Sequence, residues 1–163
     1  MTDENDPHVM EPGTAPTPFT AAEIRDHCQA GKEIRVRVDV PGREPVLWQN
    51  RYLDLDEEGA TFERTALDLD GEPAGEPEAG RVVWLDLQSH ASFPADVTTI
   101  EPERIDTPLG PLDCLRYTVL DDAVEKTFWF ATAIPGMPVR SVHRADGQVV
   151  MTMTMVGNSG FAS

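Results

Sequence analysis

The chain has 163 residues, 40% of them hydrophobic, which fits one domain that buries about 70% of its unfolded surface without a disulfide or metal staple. Lys and Arg number 13 against 29 Asp and Glu, a formal charge of −16, so the basic face that nucleic acid or anionic lipid requires is excluded. No apolar run approaches the ~20 residues of a membrane span.

Residues 1–18 carry Asp3, Glu4, Asp6 and Glu11 with no Lys or Arg, and are broken by proline. They are expected as a solvated, disordered acidic tail. They show neither the positive start nor the apolar stretch of a signal peptide, so the expected compartment is the cytoplasm. There Cys28 and Cys114, which form no CxxC, are expected as free thiols. Lysine is scarce, only Lys32 and Lys126, whereas Arg, Asp, Glu and Ala abound. That bias suggests a high-GC bacterial genome, and it suits a salt-rich cytoplasm equally well.

Thr20-x-x-Glu23 is a capping box, and Phe19 with Ile24 has the spacing of a hydrophobic staple. Ala-rich sequence up to Gly31 predicts a helix over about 21–30, packed through Phe19, Ile24 and Cys28. From Lys32 the period changes to two. Ile34, Val36, Val38 and Val40 alternate with charged residues, the mark of a half-buried strand. Pro41-Gly42 turns the chain. Strands are predicted at Val46–Leu55 and Ala60–Leu67. Residues 68–80, with Asp68, Asp70, Glu72, Glu76 and Glu78, read as an acidic loop. Residues 81–93 fit a helix or a strand, and a short helix is preferred.

The second half reads as a meander. Strands are expected at Val97–Asp106, Leu112–Leu120, Ala123–Ala131, Val139–Arg144 and Val149–Val156, with Pro102 placing the first of them at an edge or bulge. Asp146-Gly147 has hairpin spacing. Short turns favour antiparallel neighbours. The fold class is therefore α+β, mainly β: a single large curved antiparallel sheet, an open half-barrel of about eight strands with one or two helices packed on it. One domain is expected over 19–158, with a C-terminal tail at 159–163.

The turn Thr107-Pro108-Leu109-Gly110 leads to a strand containing Leu115-Arg116-Tyr117. A strand with Trp129 follows, then Gly136-Met137-Pro138-Val139-Arg140 and a hairpin tipped by Gly147. This stretch resembles the repeated hairpins of the bacterial lipoprotein-carrier-like superfamily. The resemblance implies an open, strongly curved antiparallel sheet with helices in its concavity. In several members of that superfamily the apolar concave face holds a lipid acyl chain.

Met151, Met153 and Met155 alternate on the last predicted strand, so their thioethers share a face. Core packing is the favoured reading. A soft Cu(I) site and a surface for variable apolar ligands are the alternatives. Phe128 and Phe130 share a face with Trp129 opposite, which implies a strand covered on both sides. Their face is expected to be that of the methionines. His27, His90 and His143 with the two cysteines lack the spacing of a zinc site, and no metal or cofactor is expected. Asp86 and His90 stand at i, i+4 and supply a candidate acid–base pair, against the simpler reading of a surface hydrogen bond. Arg35, Arg37, Arg51 and Arg116 are read as ordinary cross-strand partners of acids. No P-loop, GxGxxG, HExxH or GxSxG occurs.

The leading expectation is a non-enzymatic domain. It binds an apolar small molecule or a partner segment through Met151, Met153, Met155, Phe128 and Phe130. An enzyme using His90 with a nearby carboxylate, and an interaction module without a ligand, are the alternatives. The oligomeric state is left open.

Overall fold

A computed structural model describes residues 6–161 of the chain. Nine strands form one unclosed, curved antiparallel sheet. They are β1 (Cys28–Asp39), β2 (Val46–Leu53), β3 (Gly59–Leu67), β4 (Glu78–Val83), β5 (Thr98–Thr107), β6 (Gly110–Asp121), β7 (Val124–Ala131), β8 (Arg140–Ala145) and β9 (Gln148–Phe161). Two short helices complete it, α1 (Ala21–Asp26) and α2 (Trp84–Ser89).

The strand order is β4-β3-β2-β1-β9-β8-β7-β6-β5. Two meanders, β1–β4 and β5–β9, are therefore joined where the first strand pairs with the last. The backbones of β5 and β9 come within 8 Å of each other although three strands separate them. In a flat sheet they would stand about 19 Å apart, so the β5–β9 half curls strongly. β4 and β5 are opposite edges, and the chain between them carries α2 across the concave side. There α2 meets α1.

Register explains the two faces. Val36 pairs with Trp48 on one side and Met155 on the other, and Met153 pairs with Val38 and Ser141, which faces Phe128. These residues share the concave side with Ile34, Tyr52, Tyr117 and Phe130, and Phe19, Ile24, Trp84 and Ala91 pack onto them from above. The convex face is charged. Arg51 lies between Glu33 and Glu63, at 3.3 and 3.6 Å, and Arg116 between Glu101 and Glu103, at 2.6 and 3.2 Å. Arg51 and Arg116 thus form the expected cross-strand pairs, each contributing at most about 1 kcal/mol, whereas Arg35 donates to the Gln49 amide and Arg37 pairs with Asp39 of its own strand. Trp129 faces this side too, covered by side chains and not by a helix. Its Nε1 donates to Glu103 Oε1 at 2.6 Å, and the Arg140 guanidinium lies 5.2 Å from its ring centroid.

Several expectations are corrected. The capping box starts α1 as predicted, with Phe19 and Ile24 both in the buried core, but the helix stops at Asp26 and Cys28 already belongs to β1. Gly31 has the positive φ of a helix-closing residue, 87°, yet it sits where β1 loses register with β9 between Cys28 and Glu33. Its left-handed backbone serves a β-bulge. Residues 78–80, expected in the acidic loop, pair with β3 as the start of β4. The expected C-terminal tail is overturned at 159–161, where β9 continues to Phe161. Pro102 does lie on an edge strand, β5.

The detached acidic tail is also corrected over residues 6–18. Ala15 and Thr17 are buried. Ala15 N donates to Phe93 O, Tyr117 Oη to Pro16 O at 2.7 Å, and Gln88 Nε2 to Pro7 O at 2.8 Å. What holds the segment is its own backbone, whose carbonyls meet buried donors. Residues 1–5 of that expected tail lie outside the described residues.

Candidate functional site

Where α1 and α2 cross the concave face they leave a cavity of about 220 Å³. α1 contributes Ile24, and α2 with the turn after it contributes Trp84, Leu87, His90 and Ala91. β1 and β2 form one wall with Cys28, Lys32, Ile34 and Tyr52, and β7 forms another with Phe128 and Phe130. The segment Pro135–Pro138 closes the side.

The aromatic wall is fixed by its neighbours. Phe128 stacks on Phe93 with centroids 5.2 Å apart, Phe130 meets Tyr117 edge-on at 5.2 Å, and Phe19 reaches Phe130 at 6.4 Å. Edge-to-face and offset contacts of this kind hold ring orientation as well as burying area. The roof is fixed by Gln88, buried on α2. It accepts from Ala21 N at 2.9 Å and donates to Thr17 Oγ1 at 3.0 Å and to Pro7 O. Trp84 is anchored by its Nε1, which donates to Asp56 O at 2.8 Å.

Lys32 is the unusual member of this lining. It lies directly opposite Tyr52 in the β1–β2 register and is only 4% exposed. Its Nζ stands 6.0 Å from the Tyr52 ring centroid. Among the described residues no carboxylate forms an ion pair with it, and the titratable group that acts on it is the Cys28 thiol. Burial pushes the Lys32 ammonium below the usual lysine range, with a smaller opposing effect from Cys28. Burial pushes the Cys28 thiol up, and a raised thiol is a poor nucleophile at neutral pH.

The expected site residues are divided by the structure. Phe128 and Phe130 line the cavity. Met151, Met153 and Met155 share their sheet face but do not line it. Met155 is fully buried, Met153 packs against the core, and Met151 pairs with His143. His90 reaches the cavity, but its contact with Asp86 is the backbone bond from His90 N to Asp86 O, 3.2 Å. No Asp or Glu is among the described residues that line the cavity. Lys32, Tyr52 and Trp84 were missed. Lys32 had a signal: it stands in phase with Ile34, Val36 and Val38 on the apolar side of a two-residue period.

An unclosed, curved antiparallel sheet with two helices lying across its concavity over a small apolar cavity is the class of protein this chain represents. No family model matches the sequence, and no curated protein matches it. Among solved structures the chain is similar to one described as the crystal structure of MucB, at 12% identity with a TM-score of 0.58. The match covers 86% of this chain and 56% of that one, so this chain spans little more than half of MucB. At that identity the likeness is one of fold. No described helix is long and apolar enough to cross a membrane.

Proposed function

We propose that the protein is a non-enzymatic binding domain that holds a small apolar ligand in the cavity between its concave sheet face and its two helices. The observation that carries this reading is the lining itself, Phe128 and Phe130 on one side and Ile24, Trp84 and Leu87 above, around about 220 Å³ of space. Apolar walls with few polar groups suit a ligand whose binding is driven by removal from water. The helices already occupy the concavity, which favours a small molecule over a partner segment laid along the sheet. The open curved sheet, the fold this chain shares with MucB, leaves a concave face on which such a cavity can form. In this reading the methionine row is core that backs the aromatic wall.

The test fills the cavity. Phenylnaphthylamine, a neutral fluorophore that brightens in apolar surroundings, is titrated into the parent and into Ala91→Trp. The reading expects saturable enhancement in the parent and its loss in the variant, with far-UV circular dichroism unchanged. Equal enhancement in both proteins, or none in the parent, would contradict it.

A further inference from the structure

We infer that Lys32 is the anchor for the head of the ligand, and that the ligand is a single-chain carboxylate whose hydrocarbon tail fills the cavity. The inference rests on the binding reading above and names the substrate class for that same site.

A lysine that lines an apolar cavity, only 4% exposed as a residue and ion-paired with no described carboxylate, is a costly arrangement. The other cations of the sheet show the contrast: Arg51 and Arg116 on the convex face each sit between two acids. Lys32 has the Tyr52 ring, a weak partner at 6.0 Å, and open space beside it. A bound anion completes the arrangement, and its attraction is strengthened by the low-dielectric surroundings.

The head is a carboxylate and not a phosphate because the donor set is small. Lys32 is the sole Lys or Arg among the described lining residues, and His90 is exposed. One ammonium matches one negative charge, whereas a phosphate monoester carries more charge and more acceptors than this site can answer. Size sets the tail. The cavity equals roughly seven water volumes of about 30 Å³ each, room for a medium-length chain and too little for a two-chain lipid.

The test compares three probes with one tail, octanoate, octanol and octyl phosphate, by displacement of phenylnaphthylamine from the parent and from Lys32→Met. Met keeps an unbranched side chain only one atom shorter and removes the charge. The proposal expects octanoate to bind the parent best, and to lose about tenfold or more of its affinity in Lys32→Met, the scale of a charge-assisted hydrogen bond. Octanol should bind both proteins alike, and thermal melts should show Lys32→Met folded. Octanoate and octanol equal in the parent, or octanoate unaffected by Lys32→Met, would overturn the role of Lys32 and leave the apolar cavity standing. Octyl phosphate tighter than octanoate would overturn the carboxylate assignment. Failure of all three probes in a parent that holds the fluorophore overturns the single-chain ligand. Failure of the fluorophore as well removes the binding reading itself.

Discussion

Gln88 shows how one side chain fixes the roof of the cavity. It is buried, and its amide ties together the N–H that opens α1, the hydroxyl of Thr17 and the carbonyl of Pro7. Truncation strands several buried polar groups at once, and each such group costs about 1–3 kcal/mol. Gln88→Ala should therefore destabilise by roughly 3 kcal/mol, seen as a lower denaturant midpoint at unchanged slope. A coincident melt would show that the N-terminal segment does not depend on this amide. The buried acids give a second expectation. Burial, helped by Asp113 and Glu103, pushes the Cys114 thiol up to about 11, and burial raises Tyr52 and Tyr117 well above an ordinary phenol. These groups keep their protons in the fold longer than in the unfolded chain, so unfolding releases protons at high pH. The contribution of Cys114 is intact below the ordinary thiol range and is lost as pH climbs through about 9 to 11, whereas that of the two tyrosines starts to fall only above the ordinary phenol range, near pH 10, and goes on falling beyond it. Lys32 acts in the opposite sense, since its lowered value makes the fold gain with pH until an unfolded lysine deprotonates. With the raised Cys28 thiol, four groups outweigh one, and the melting temperature should fall steadily above about pH 9. Cys114→Ala should flatten the early part of that fall.

At the scale of elements, the turn between β2 and β3 sets the edge of the site. Asp56 Oδ1 accepts from Glu58 N and Gly59 N, both at 2.9 Å, and these bonds with Arg81 hold its carboxyl below the usual carboxylate range. Gly59 must stay bare: a Cβ there would stand 1.9 Å from Val82 O on β4. Gly59→Ala should push β4 away and with it Trp84, whose N donates to Glu58 O at 2.9 Å. The expected outcome is altered tryptophan fluorescence, together with destabilisation of about 2 kcal/mol or more. An unchanged spectrum and melt would mean that β4 does not lie against this turn. The elements also show what sequence can carry. Thr20 and Glu23 satisfy each other's backbone N–H at 3.1 and 2.9 Å, a local exchange readable from four residues. The strands were readable from two-residue alternation for the same reason. Gly31 was misread because a left-handed glycine closes a helix and opens a bulge with the same backbone angle, and only the pairing of β1 with β9 decides between them. The N-terminal segment was misread because composition describes side chains, whereas Pro7 and Pro16 are held by their carbonyls.

Across the whole molecule, the join of β1 to β9 and the passage of α2 from one sheet edge to the other create the cavity. Both are long-range facts, which is why the cavity residues were only partly legible. Phe128 and Phe130 stood out as a paired aromatic face, but Trp84, Tyr52 and Lys32 come from strands and helices that only the topology assembles. Met155, by contrast, looked like a site residue and is core, fully buried beside Val36. The division predicts where a bound chain must lie. Intermolecular nuclear Overhauser effects from the terminal methyl of bound octanol test it most directly. The account predicts cross-peaks to the rings of Phe128 and Phe130 and to Ile24, with none to Met155 or to Trp129 on the convex face. Cross-peaks confined to the convex face, or a ligand that contacts Met155 and not Phe128, would contradict it.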